Sequence, residues 1–322
     1  MITFDKIYQQ QRQYNRKIRL SEQQSNERWT ETYILGLVSE MNEILDVMRW
    51  KRHRKNPIKK LDVTNLGFEL ADLTKYILSM WELWGFSADE VLSFVKDKSD
   101  ILDEMYRQEF EVIPSNRLIV ITDIDGTLGD WRKTFINWAH SAHGIIPIQD
   151  ASTSLLLDSD LLMRYVDYYE LKEEFESSGQ YQYILLYPDA VNFLQWLKDE
   201  FNAYIIAHTA RPSQKYHRIW GDTWEWITAN RLPIDQLRIG SEARLLLADT
   251  IGGNDVLMLE DDPGLILRAA YGGIRVIARK HPYNDGVQHE KISLVGNLAD
   301  AKESITNEYA TYRKTRETST TS

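Results

Sequence analysis

The stretch Leu118-Ile119-Val120-Ile121-Thr122-Asp123-Ile124-Asp125-Gly126-Thr127-Leu128 decides how this chain is read. Its first five residues are apolar or β-branched without a break, the pattern of a short strand buried on both faces. The run ends in two aspartates separated by one residue and then a glycine turn, which puts both carboxylates at the carboxyl edge of a sheet. Side chains two apart on an extended strand share a direction, although the backbone is already turning at Asp125. The first aspartate can attack phosphorus as a carboxylate nucleophile, and the second can exchange a proton with the leaving oxygen.

Working downstream, short apolar runs at 203–207, 256–259 and 273–278 alternate with helical stretches. That alternation predicts a Rossmann-like parallel sheet with crossover helices, an α/β class. The run at 203–207 leads into His208-Thr209-Ala210-Arg211-Pro212, which sets a hydroxyl at the end of the next strand. The run at 256–259 leads into Glu260-Asp261-Asp262-Pro263, a further group of carboxylates suited to Mg²⁺.

Upstream of Ile113-Pro114 nothing reads as a strand, and the texture is that of an all-α bundle. Ile34, Leu37, Val38, Met41, Ile44, Leu45 and Met48 recur at helical spacing, as do Leu66, Leu70, Leu73, Ile77, Met80 and Trp84. Ser87 followed by Glu90 reads as a capping box opening a further helix toward Arg107. On the first of these helices Glu40 and Glu43 lie one turn apart; on the second, Glu69 and Asp72 do. Both pairs abut the apolar stripe, where an uncompensated anion is costly. On spacing alone, a shared Mg²⁺ site and two pairs of solvated helix carboxylates are both open.

Composition bounds the rest. At 322 residues with 43% hydrophobic and 27% charged residues, the chain is globular and about two domains long. It has no cysteine, which excludes disulfides, thiol nucleophiles and thiolate metal sites and suits a cytoplasmic setting. No apolar run is long enough for a membrane span and no secretory signal is read at the start, so no membrane partner is expected. The net charge is −10, and residues 1–115 carry 17 basic and 19 acidic side chains against 21 and 29 in the remainder. The acidic second half speaks against polynucleotide binding, which draws on clustered Lys and Arg. A basic run at Lys51, Arg52, Arg54, Lys55, Lys59 and Lys60 is open to two readings, a solvated loop or a polyphosphate grip. The expected organisation is a helical domain at 1–113, an α/β domain at 114–305 with a cap insertion at about 129–187, and a disordered tail at 306–322.

Two resemblances follow from these motifs. Glu40-x-x-Glu43, a 25-residue gap and Glu69-x-x-Asp72, with the flanks Gly36-Leu37-Val38-Ser39 and Trp50-Lys51, resemble the signature of MazG-like all-α NTP pyrophosphohydrolases. The resemblance implies Mg²⁺-dependent cleavage of a nucleoside triphosphate to a monophosphate and pyrophosphate. It makes Glu40, Glu43, Glu69 and Asp72 the metal ligands, puts Lys51, Lys98 and Arg107 at the phosphates, and implies a homo-oligomer formed through the helical domain. Ser39 stands where that family often has a first glutamate, which keeps open a reading of this domain as an inactive dimerisation module.

The three elements at Asp123, Thr209 and Glu260-Asp261 together resemble the haloacid dehalogenase (HAD) phosphatase superfamily. This implies an aspartyl-phosphate on Asp123, Asp125 as general acid/base, Thr209 on the phosphoryl group, and Mg²⁺ held by Asp123, Asp125, Asp261 and either Glu260 or Asp262. Thr127 and Arg211 are then expected to contact substrate. The superfamily's lysine is missing between His217 and the 256 strand, so Arg244 or Arg238 stands in for it, with Lys215 lying early for the role. Thr209-Ala210-Arg211-Pro212 and the Pro282-Tyr283-Asn284 turn are similar to nucleotidase branches. Together the two resemblances imply a bifunctional nucleotide hydrolase, with a 3′-phosphatase acting on nucleic-acid ends as the alternative.

Overall fold

The computed structural model describes residues 2–19, 24–48, 61–109, 111–114, 117–146, 161, 164–240 and 255–310. The chain separates into two compact units, Met1–Glu104 and Met105–Ser322.

The first unit is helical. It is built from α1 (Phe4–Arg19), α2 (Asn26–Met48), α3 (Val63–Leu83) and the first turns of α4 (Ala88–Glu109). Sequence periodicity finds the last three but passes over α1, whose inward face holds Tyr8, Gln11 and Asn15 rather than aliphatics. Tyr8 packs with Leu78, Ala88 and Val91, while Trp29 and Tyr33 of α2 pack with Leu83 of α3. Gly36 lets α2 and α3 approach closely, since a Cβ there would overlap the Tyr76 ring. The capping box is real: the Ser87 N–H donates to Glu90 Oε2 at 2.7 Å and the Glu90 N–H returns to Ser87 Oγ at 3.2 Å.

The second unit is a parallel six-stranded sheet. Its strands are β1 (Ile119–Thr122), β4 (Tyr204–Thr209), β5 (Gln236–Ile239), β6 (Val256–Glu260), β7 (Arg275–Arg279) and β8 (Ile292–Val295), in the order β5-β4-β1-β6-β7-β8. Strand β1 lies inside the sheet with every residue buried, as its unbroken apolar run requires. Strands β5 and β8 were not legible in the sequence: they form the sheet's two edges and are only partly apolar, so their pattern is weaker.

A two-residue hairpin, β2 (Gly129–Asp130) with β3 (Leu185–Leu186), brackets the insertion that carries α5 (Trp131–His143) and α6 (Tyr165–Ser177). Its aromatics form a core of their own. Phe135 and Phe175 are fully buried, with ring centroids 5.2 Å apart edge to face. Further helices are α7 (Ala190–Phe201), α8 (Ile219–Ala229), α9 (Pro263–Tyr271) and α10 (Lys302–Glu308).

Contacts divide the chain at 104/105 rather than 113/114, because the end of α4 belongs to the sheet unit. Buried Gln108 accepts from the Leu237 N–H at 2.7 Å, so its amide satisfies the outer edge of β5. At the other end, α10 crosses the expected boundary at 305, and the buried Tyr309 donates its hydroxyl to the Val256 carbonyl at 3.3 Å. Residues 311–322 of the expected tail, and the basic run at 51–60, lie outside the described residues. Among the described residues no helix is long and apolar enough to cross a membrane.

Candidate active site

Register brings the predicted carboxylates together. Thr122 is level with Leu259 on one side and Ala207 on the other. Glu260 therefore sits level with Asp123, and Thr209 ends β4 two residues further on, beside the turn at Asp125. Asp123, Glu260 and Asp261 are all buried, and each offers a carboxylate oxygen such that the three atoms lie within 4.8 Å of one another.

Each of these groups is oriented by its surroundings. Glu260 Oε1 accepts the backbone N–H groups of Asp261 and Asp262, at 3.0 and 3.1 Å. Asp261 accepts the Thr127 hydroxyl on Oδ1 at 3.0 Å and the Tyr283 hydroxyl on Oδ2 at 2.5 Å. Burial, and then the charge of Asp261, push the Tyr283 phenol far above its ordinary range, so it stays a donor. Asn284 ties the turn down, donating to the carbonyls of Asp261 and Arg279 at 2.8 and 2.9 Å. His281 Nε2 lies 2.7 Å from the Gly126 carbonyl, and burial lowers its pKa, so the neutral ring donates to that oxygen. Arg279, also buried, holds the Thr127 carbonyl at 2.7 Å and Asp189 at 2.8 Å. Of these, the sequence reading singled out only Thr127 and the turn at Pro282–Asn284. His281 and Arg279 carry no local motif.

Gly126 has φ +89°, and a Cβ there would overlap the Asp261 carboxylate. Gly126→Ala is accordingly expected to destabilise the α/β unit by about 2 kcal/mol or more. Urea unfolding followed by tryptophan fluorescence checks this, and an unchanged midpoint would remove the close approach from the account.

Several of the expected residues have other partners. The Asp125 carboxylate does not join the acidic cluster; it forms a bidentate pair with Arg211, Nε to Oδ2 at 2.8 Å and Nη2 to Oδ1 at 2.7 Å. Arg211 is buried, donates also to Thr223 Oγ1 at 2.9 Å, and lies 4.4 Å from the centre of the Tyr181 ring. Burial works against its charge, but Asp125, helped by Tyr181 and Asp123, outweighs this and raises the guanidinium pKa. Arg211 is thus built into the wall and holds Asp125, where a substrate contact was expected. Asp262 is a helix cap, accepting the Leu265 N–H at 2.9 Å, which leaves Glu260 as the partner of Asp261. Of the lysine's stand-ins among the described residues, Arg238 bonds the Gln108 carbonyl at 3.4 Å and the Gln236 side-chain oxygen at 3.3 Å, and Lys215 is paired with Glu173 at the surface. Arg244 lies outside the described residues.

In the helical unit, Glu40, Glu43 and Glu69 offer carboxylate oxygens within 4.8 Å of one another. Asp72 is turned to Lys75 at 2.7 Å, yet it still bears on Glu40. Partial burial, then the charges of Glu43, Asp72 and Glu69, raise the Glu40 pKa. A cleft of about 540 Å³ runs from Glu40 and Asp72 past Tyr14, Tyr76 and Gln11. Lys98 is exposed on α4 and does not line it, Arg107 pairs with Glu111 at 3.0 Å, and Lys51 lies outside the described residues.

The donor sets fit Mg²⁺ in kind. All are hard oxygen ligands, and in the sheet unit three buried carboxylates together require a cation to balance them.

No family model matches the chain, and neither does any curated protein. Solved structures do match. A haloacid dehalogenase-like family hydrolase from Streptococcus pneumoniae is 14% identical with a TM-score of 0.42, over 60% of this chain and 100% of that one. A haloacid dehalogenase-like hydrolase from Bacteroides fragilis is 18% identical with a TM-score of 0.38, over 56% and 99%. CbbY from Rhodobacter sphaeroides, solved with xylulose-(1,5)bisphosphate, is 14% identical with a TM-score of 0.37, over 57% and 96%. The fold assignment stands on the strand order and the carboxylates at the sheet's edge.

Proposed function

We propose that the α/β unit is a HAD-type hydrolase of phosphomonoesters, nucleoside monophosphates foremost, and that the helical unit is a nucleoside triphosphate pyrophosphohydrolase. The observation that carries the first half is the meeting of Asp123, Glu260 and Asp261 at the carboxyl edge of a parallel sheet, with Thr209 at the end of the neighbouring strand. Asp123 attacks the phosphorus and takes the phosphoryl group as an acyl phosphate, a mixed anhydride, as the bond from phosphorus to the departing oxygen breaks. Both oxygens of the Asp125 carboxylate accept from Arg211, so Asp125 takes up a proton from solvent as that pair opens, gives it to the departing oxygen, and then takes one from the water that frees phosphate. Its pairing with Arg211 keeps the carboxylate aimed until that exchange. Thr209 donates its hydroxyl to a phosphoryl oxygen. Mg²⁺ held by Asp123, Glu260 and Asp261 would supply neutralisation of the phosphate charge.

The helical half rests on the Glu40, Glu43 and Glu69 cluster, of which Glu40 also lines a cleft large enough for a nucleoside. Working in sequence, the two sites would remove a triphosphate from the pool as nucleoside, pyrophosphate and phosphate. A panel of NTPs, dNTPs and their monophosphates with Mg²⁺, with pyrophosphate and phosphate measured separately, tests the pair. Phosphate from monophosphates alone favours an inactive helical module, and activity only on oligonucleotide ends favours the 3′-phosphatase alternative.

Assembly belongs to the same proposal. On α2, Ile34, Val38, Met41, Leu45 and Met48 are exposed at alternating steps of three and four, a stripe of the kind that pairs helices. A second copy of the chain covering this stripe is expected, and light scattering at micromolar concentration should return at least a dimer mass. A monomer would count against it.

A further inference from the structure

Resting on the HAD-type reading of the α/β unit, one buried ring contact bears on how the proton donor is aimed. Asp125 lies three residues past the end of β1, and both of its oxygens are held by Arg211. The guanidinium is engaged along its edge, with Nε and Nη2 on Asp125 and Nη1 on Thr223 Oγ1 at 2.9 Å. Bonds in the guanidinium plane leave that plane free to tilt, and packing against its face stops the tilt. Arg211 sits over the Tyr181 ring, 4.4 Å from its centre, and over the Trp226 ring at 5.8 Å. Tyr181 is itself fixed. It is buried, its ring meets Phe175 edge to face at 5.8 Å, and its hydroxyl reaches Glu176 Oε1 at 3.5 Å. Burial, then the charges of Asp125 and Glu176, push its phenol well above the ordinary range, so the ring stays neutral. The segment that carries it is pinned to α8: Gln182 Nε2 donates to Asp222 Oδ1 at 2.7 Å, and Trp226 Nε1 to the Ile184 carbonyl at 2.7 Å.

We infer that Tyr181 is a positioning residue for Asp125: its ring holds the Arg211 guanidinium in the plane from which the fork aims Asp125 at the departing oxygen. Tyr181 acts on the reaction through Arg211 and not on the substrate. In the step it serves, a carboxylate oxygen of Asp123 bonds to phosphorus and the bond from phosphorus to the departing oxygen breaks. The proton carried by Asp125 goes to that oxygen. Loss of the ring is therefore felt where the departing atom needs a proton, and spared where it leaves as a stable anion.

The test uses the full chain with Mg²⁺, a nucleoside 5′-monophosphate, and the same nucleotide with sulfur in the bridging position, whose thiolate leaves without a proton. The chain has no cysteine, so released thiol is read without background. Tyr181→Leu should lower kcat/KM for the oxygen substrate about tenfold or more, through kcat with KM unchanged, and change it for the sulfur substrate by about twofold or less. Tyr181→Phe, which keeps the ring, should match the parent on both. Equal losses on the two substrates, a loss carried by KM alone, an unimpaired Tyr181→Leu, or a Tyr181→Phe as impaired as Tyr181→Leu overturns the inference and leaves the hydrolase reading intact. If Tyr181→Leu does not fold, pentafluorophenylalanine at position 181 keeps the ring's shape and reverses the charge of its face. The same split between substrates then upholds the inference, and parent-like rates on both overturn it. A parent that releases phosphate from no monophosphate ends the hydrolase reading, and the inference falls with it.

Discussion

Asp123→Asn is expected to lower phosphate release from monophosphates by about four orders of magnitude or more while leaving pyrophosphate release from triphosphates unchanged. An amide is a far poorer nucleophile than a carboxylate, and Asn is close in size, so the fold should hold. Asp123 is buried beside Glu260 and Asp261, and replacing one of three adjacent carboxylates removes repulsion as well as chemistry. The variant should therefore melt no lower than the parent in metal-free buffer. Separate colorimetric assays of phosphate and pyrophosphate on the same preparation provide the readout. Substantial phosphate release by the variant would take the nucleophile role away from Asp123.

Glu40→Gln with Glu69→Gln should produce the opposite split, a loss of pyrophosphate release by about 100-fold or more with phosphate release kept. It carries a stability signature as well. The Glu40 pKa is raised in the folded chain, by partial burial first and then by Glu43, Asp72 and Glu69. A carboxyl whose pKa rises on folding binds its proton more tightly when folded, so its ionised form opposes folding above that pKa and the penalty is relieved as pH falls through it. Without metal, the double variant should therefore melt higher than the parent near neutral pH, and the difference should shrink in acid. Millimolar Mg²⁺ should raise the parent's melting temperature more than the variant's, because a ligand of the folded state alone stabilises by mass action. The α/β site contributes equally to both proteins and cancels. Equal responses to Mg²⁺ would end the case for a metal at Glu40, Glu43 and Glu69.

The parts legible in the sequence were those whose cause is local. A strand buried on both faces announces itself as an unbroken apolar run, and β1, β4 and β6 do so. The residue after such a run lies at the sheet's carboxyl edge whatever the rest of the chain does, which is why Asp123, Thr209, Glu260 and Asp261 were found. Helical spacing likewise sufficed for α2 and α3 and for the carboxylates they align. Helix α1 was passed over because only aromatic Phe4 and Tyr8 give its inward face apolar character, and Gln11 and Asn15, satisfied by partners on α3, break the periodic apolar signal.

The sequence by itself determined an all-helical part followed by a parallel α/β part, the order of the carboxylates and hydroxyl at its strand ends, and the oxygen-only character of its acidic clusters. Tertiary structure alone decided the partners: Arg211 with Asp125, Asp262 as a helix cap, Tyr283 on Asp261, Arg238 turned to Gln108, and Gln11 held by Asn15 and Ser79. Most of those pairs join residues tens of positions apart. Hydrogen bonds and ion pairs reach about 3 Å, whereas spacing along a helix or strand orders only near neighbours, so their choice of partner waits for the packed chain.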